Sequence, residues 1–225
     1  MATLTDNLSS VPLPYLVDKV DDYNFSKLVE HYFQENSDIA TVFRPFFLTS
    51  NIIVDANDKQ QMKDWLAGAG KMRHPKLLYR ASRDGWTAAD FHRMCDGKGA
   101  TITVVKSSDG YIFGGYTDVA WGMNDVYLSS SVSFLYSLKD HAGIGPVKMP
   151  IKSNKTAGAV YHNVNFGPRF GQSDLEITTN ANESASFSRS TIGGTYERPA
   201  NCRSGNFLTG SSSFTTVSEC EVFLV

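Results

Sequence analysis

Arg83 and Asp84 stand side by side in "LLYRASRDGW", and Glu219 and Glu221 alternate in the terminal "SECEVFLV". An adjacent arginine and carboxylate make a charge-assisted pair that can close a turn or face a partner. Two glutamates spaced by one residue in a strand share a face about 7 Å apart. That spacing permits acid/base work on a bound substrate, or contact with a basic partner from a solvated sheet edge. Cys202, in the Gly-, Asn- and Arg-rich "PANCRSGN", is the thiol expected at the surface and therefore the one open to oxidation. Cys95 and Cys220 fall on apolar faces, where burial raises a thiol's pKa rather than activating it.

Other candidate chemistry fails on spacing. His31, His74, His92, His141 and His162 form no HExxH or His-x-His pattern, so nothing points to metal ligation. No Gly-x-Ser-x-Gly elbow offers a serine nucleophile. The Gly114-Gly115 pair in "GYIFGGYTDVAW" would suit phosphate only between a strand and a helix N-terminus. The residues after the pair, "YTDVAW", are β-favouring, so it reads as a bulge or as a place where an aromatic or a second backbone crosses closely. No catalytic, cofactor or metal set assembles from the residues alone.

The elements that must position these residues change period along the chain. "NFSKLVEHYF" puts Phe25, Leu28, Val29, Tyr32 and Phe33 on one helix face. "RPFFLTSNIIV" breaks that helix at Pro45 and reads as extended. Asn57, with Gln60 three residues on, is the expected cap of a helix carrying Met62, Trp65 and Leu66. In "WTAADFHRMC", Thr87 and Asp90 form a capping box, Trp86 and Phe91 a hydrophobic staple, and Gly97 a stop.

From Ala100 onward the period is two. "ATITVVK", "YIFGGYTDVAW", "SVSFLYSL", "DLEITT" and "SECEVFLV" read as strands separated by turn residues. In "SVSFLYSL" the expected faces are Val132, Phe134, Tyr136 and Leu138 against Ser131, Ser133 and Ser137. The pattern predicts an α+β fold: two mostly antiparallel β-sheets packed as a sandwich, flanked by helices.

The chain has 225 residues, 41% of them hydrophobic, enough to bury a core in one large domain. Its net charge of -2 lacks the basic surplus of nucleic-acid binders. Three cysteines without a CxxC pair fit a reducing compartment. The first residues show no basic n-region before an apolar core, and no apolar run reaches membrane-spanning length. A cytoplasmic location without membrane insertion is expected.

"KLLYRASRDGWTAADFHRMCDGKGATITVVKSSDGYIFGGYTDVAW", "SFLYSL", "GPRFGQSDLEI" and "SECEVFLV" together, in order and spacing, resemble the TLDc domain family. The resemblance covers residues 48–225; residues 1–47 are expected to be an N-terminal helical extension. It implies a helix-flanked β-sandwich with Phe113, Gly114, Gly115 and Tyr116 in its core. It implies a eukaryotic protein linked to oxidative-stress resistance, with no cofactor and no catalytic residue. Several members bind the vacuolar proton-pumping ATPase, so the expected function is a non-enzymatic interaction module on that pump's soluble sector. Asp84, Glu219 and Glu221 correspond to the acidic residues near the family's SRDG-like and EVF-like motifs and, with Arg83, are candidates for partner contact or structure. The alternatives are an enzyme or redox protein using Cys202 or the Glu219–Glu221 pair, and a small-molecule or glycan binder using the loops between Asn180 and Ser213.

Overall fold

The β-branched run after Ala100 forms the strand that the rest of the fold is laid against. In the computed structural model, which describes residues 46–71, 74–214 and 216–225, it is β2 (Thr101–Ser107). The helix expected over "NFSKLVEHYF" and the break at Pro45 lie outside the described residues. "SSDG" turns the chain as its composition requires: Gly110 takes φ +82° and its N–H donates to the Ser107 carbonyl. The chain then returns as β3 (Ile112–Thr117).

Among the described residues, twelve strands form two six-stranded sheets with every strand pair antiparallel. The others are β1 (Lys76–Arg80), β4 (Val126–Leu128), β5 (Phe134–Lys139), β6 (Val147–Pro150), β7 (Val160–His162) and β8 (Phe166–Phe170). They are followed by β9 (Leu175–Thr178), β10 (Ser188–Ser190), β11 (Ser213–Phe214) and β12 (Val217–Leu224). The first sheet runs β1-β12-β2-β3-β5-β6 and the second β11-β10-β9-β8-β7-β4. All lie in one compact unit, Ser50–Val225. Tyr79, Val105, Phe113, Leu135, Cys220 and Val222 of the first sheet share a core with Val160, Phe170, Leu175 and Ile177 of the second. The expected helix-flanked α+β sandwich is the fold observed.

The first sheet is buried on its other face as well. Helix α1 (Ala56–Gly68) buries Met62 and Leu66, and its Trp65 ring lies 5.7 Å from that of Tyr136 on β5. This double burial corrects the reading of "SVSFLYSL". Ser133 and Ser137 are buried, whereas Val132 lies outside the strand and is 45% exposed. Alternation marks a strand with one wet face, and β5 has none.

The Gly114-Gly115 pair sits where both faces crowd β3. A Cβ on Gly114 would come within 2.0 Å of the Thr103 carbonyl oxygen and 2.8 Å of the Tyr136 hydroxyl. On Gly115 it would lie 2.7 Å from the Phe170 ring of the opposite sheet and 2.8 Å from Leu135. Close crossing, by the Thr103 backbone and the Tyr136 hydroxyl at Gly114 and by the Phe170 ring at Gly115, accounts for the pair.

The helix caps divide. Asp55 rather than Asn57 caps α1, its Oδ1 accepting from the N–H groups of Asn57 at 2.7 Å and Asp58 at 3.3 Å. Residues 46–49, expected to be extended, form a turn. Helix α3 (Ala88–Cys95) starts as its sequence predicts. The Thr87 hydroxyl accepts from the Asp90 N–H at 3.2 Å, and Asp90 accepts from the Thr87 N–H at 3.3 Å. Gly97 follows its end at φ +68°. Thr87→Ala is expected to lower stability by about 1 kcal/mol, with Thr87→Ser close to wild type, as read by urea unfolding.

Candidate functional site

Strand β12 lies between β1 and β2, so the terminal glutamates occupy the interior of a sheet rather than its edge. Glu219 is 9% and Glu221 0% exposed, which overturns the solvated-edge reading. A carboxylate buried this deeply must be hydrogen-bonded or paired, and both are. Glu221 faces Arg80 across the β1–β12 pair and accepts from its Nε at 2.8 Å. The same oxygen accepts from the Asn51 N–H at 2.9 Å, and the other from the Ser50 hydroxyl at 2.5 Å. Ser50 Oγ in turn accepts from the N–H groups of Ile52 and Ile53. Glu219 accepts from the Ser82 N–H at 3.1 Å, the Ser82 hydroxyl at 2.5 Å and the Cys220 N–H at 3.0 Å.

The "SRD" of the resemblance forms most of the short helix α2 (Ala81–Asp84), directly after β1. Asp84 and Arg83 make a two-pronged pair, Arg83 Nε to Oδ1 at 2.8 Å and Nη2 to Oδ2 at 2.7 Å. Asp84 Oδ2 also accepts from the Arg80 N–H at 2.9 Å, closing the turn between β1 and α2. Burial pushes the Asp84 carboxyl up, but hydrogen bonds from Arg83 and the Arg80 N–H outweigh it and hold it below the usual carboxylate range. The Asp84 contribution is therefore present above the ordinary carboxylate pKa of about 4 and is lost as pH falls through the lower folded value. From the next helix, Arg93 donates to the Asp84 carbonyl at 3.1 Å and to Asp90 Oδ1 at 3.1 Å.

The structure thus gathers Arg83, Asp84, Glu219 and Glu221 into one region and assigns them different work. The two glutamates pin the 50–53 segment and α2 to the first sheet. Asp84 closes the β1–α2 turn. Arg83, with its side chain 47% exposed, keeps an outward surface. Sequence reading missed Ser50 and Ser82, the hydroxyls that take up the glutamate lone pairs. No spacing rule reaches from residue 50 to residue 221.

Cys202 departs from expectation. It is 9% exposed and belongs to the hydrophobic core. Its N–H donates to the Pro199 carbonyl, folding the loop under, and its thiol donates to the Ser204 carbonyl at 2.9 Å. Burial pushes the Cys95 and Cys220 thiols well up. All three cysteines are free and buried. A thiol reagent is accordingly expected to leave the native chain largely unlabelled and to titrate all three after unfolding. Cys202→Ser should leave peroxide consumption unchanged.

Between the layers, a cavity of about 10 Å³ lined by Tyr79, Trp86, Phe91, Ile177 and Cys220 has room for about one water molecule. An open depression of about 350 Å³ lies beside Lys152, Glu197, Arg198 and Cys202. Among the described residues, no group of three or more His, Cys, Asp or Glu side chains could hold a metal ion, and no helix is long and apolar enough to cross a membrane.

The family profile described as the TLDc domain matches residues 47–225. Among curated proteins none matches the chain.

Proposed function

Because the chain belongs to the TLDc domain family, a family commonly linked to oxidative-stress resistance, we propose that it is a protein-docking module rather than an enzyme. Its partner in this reading is the soluble sector of the vacuolar proton-pumping ATPase, met in the cytoplasm. The observation that supports it is how the candidate acids are used. Asp84, Glu219 and Glu221 accept from donors of the domain itself and join strands, turn and helices into one block. A block braced in this way offers its partner a preorganised outer surface, which lowers the ordering cost of association. Arg83, paired with Asp84 yet with its side chain 47% exposed, is the candidate that faces that partner.

The test is a pull-down from eukaryotic lysate on the immobilised full chain, with and without ATP. Recovery of soluble-sector subunits in either condition supports the reading. Recovery of none in both conditions contradicts it.

A further inference from the structure

His92 lies on α3 with its side chain 3% exposed, and both ring nitrogens are engaged. Nδ1 is 2.8 Å from Asp96 Oδ1. Nε2 is 3.1 Å from the carbonyl oxygens of both Asn163 and Phe166, which flank the turn between β7 and β8. Carbonyl oxygens have no proton to give, so Nε2 must be the donor there. A carboxylate has none either, so Nδ1 must donate to Asp96. A neutral imidazole carries a single N–H and leaves one of these contacts as two facing lone pairs. Water cannot repair that mismatch at a buried ring.

We propose that His92 is held as an imidazolium paired with Asp96, and that this extra proton latches the end of α3 to the β7–β8 turn. Losing the proton turns one donor into a lone pair and loosens the contact between the helix and the second sheet.

The surrounding groups favour one charged histidine here. Asp96 supplies the negative charge from the end of α3. His162 on β7 is a second buried imidazole. Its Nδ1 lies 3.1 Å from Asn124 Oδ1, and Nε2 has no partner among the described residues. Burial pushes His162 down, Asp96 opposes this, and the neighbouring His92 adds to it, so His162 is the neutral member of the pair. On α3 the Cys95 thiol stays neutral, and Arg93 is turned to Asp90 and to the Asp84 carbonyl of α2. From β1, the Tyr79 phenol is pushed up by burial and stays neutral. From β8, the Arg169 guanidinium stacks over the Tyr161 and Phe166 rings and pairs with Glu176.

The direct test is imidazole ¹⁵N NMR on the full chain at about pH 7.5, one unit above the ordinary imidazole value. His92 is expected to show two protonated ring nitrogens and His162 one bare nitrogen. A bare nitrogen on His92 at that pH overturns the proposal. Asp96→Asn supplies the second readout, because its side-chain amide can donate to a bare Nδ1 and satisfy a neutral ring. Asp96→Asn should show one bare nitrogen on the His92 ring in the same spectrum, and two protonated nitrogens in that variant also overturn the latch.

Discussion

Glu221→Ala is expected to destabilise the domain by about 3–5 kcal/mol, the cost of removing one partner from a buried ion pair. Burial sets the size of the effect. Glu221 is 0% exposed, and its oxygens take the Arg80 guanidinium, the Asn51 N–H and the Ser50 hydroxyl. Alanine leaves all of these donors buried without their acceptor beside β12, an interior strand of the first sheet. For a domain whose whole stability is about 5–15 kcal/mol, that loss is a large fraction. Urea unfolding should show it, together with early loss of hydrogen-exchange protection at residues 51–53. Arg80→Ala should also be costly. The double variant should lose less than the sum of the singles by about 1–3 kcal/mol, since the two share one interaction. Additive losses would show that the pair is not coupled.

The second large effect is at the glycine pair. Gly115→Ala pushes a methyl against the Phe170 ring and Leu135, side chains that can shift, so overpacking of about 1–3 kcal/mol is expected. Trimming Phe170 to leucine should make the double variant more stable than Gly115→Ala alone. Gly114→Ala meets the Thr103 carbonyl oxygen, a backbone atom in the β2–β3 ladder, with the Tyr136 hydroxyl also close. Trimming a side chain gives no equivalent relief there. Gly114→Ala should be the more damaging change and indifferent to Phe170→Leu in thermal melts. Rescue of Gly114→Ala by Phe170→Leu would contradict the assignment of each glycine to its own face.

These effects also mark what the sequence made legible. The α3 start could be read because Thr87 and Asp90 carry the capping box locally, three residues apart. The α1 start was misread because Asp55 and Asn57 both suit a cap, and side-chain type alone does not choose between them. Four strands of the first sheet, β2, β3, β5 and β12, are readable from β-branched composition and alternation, whereas the short edge strands β1 and β6 are not, and alternation does not say that β5 and β12 are covered on both sides. Central position is a property of the pairing order. That gap is why Glu219 and Glu221 looked like edge residues and became interior anchors. Cys202 was misplaced for a related reason. Its neighbours are polar, yet the turn from Pro199 folds the thiol inward against the core. The His92 contacts to Asn163 and Phe166 join residues more than 70 positions apart, beyond the reach of any local pattern.

Docking as a preassembled block is tested most directly by calorimetric titration of the purified full chain into purified soluble sector of the vacuolar ATPase, with and without ATP. Saturable binding in at least one nucleotide condition, without loss of the domain's native fold, is the predicted result. No heat of binding in either condition over a range of temperatures would contradict it.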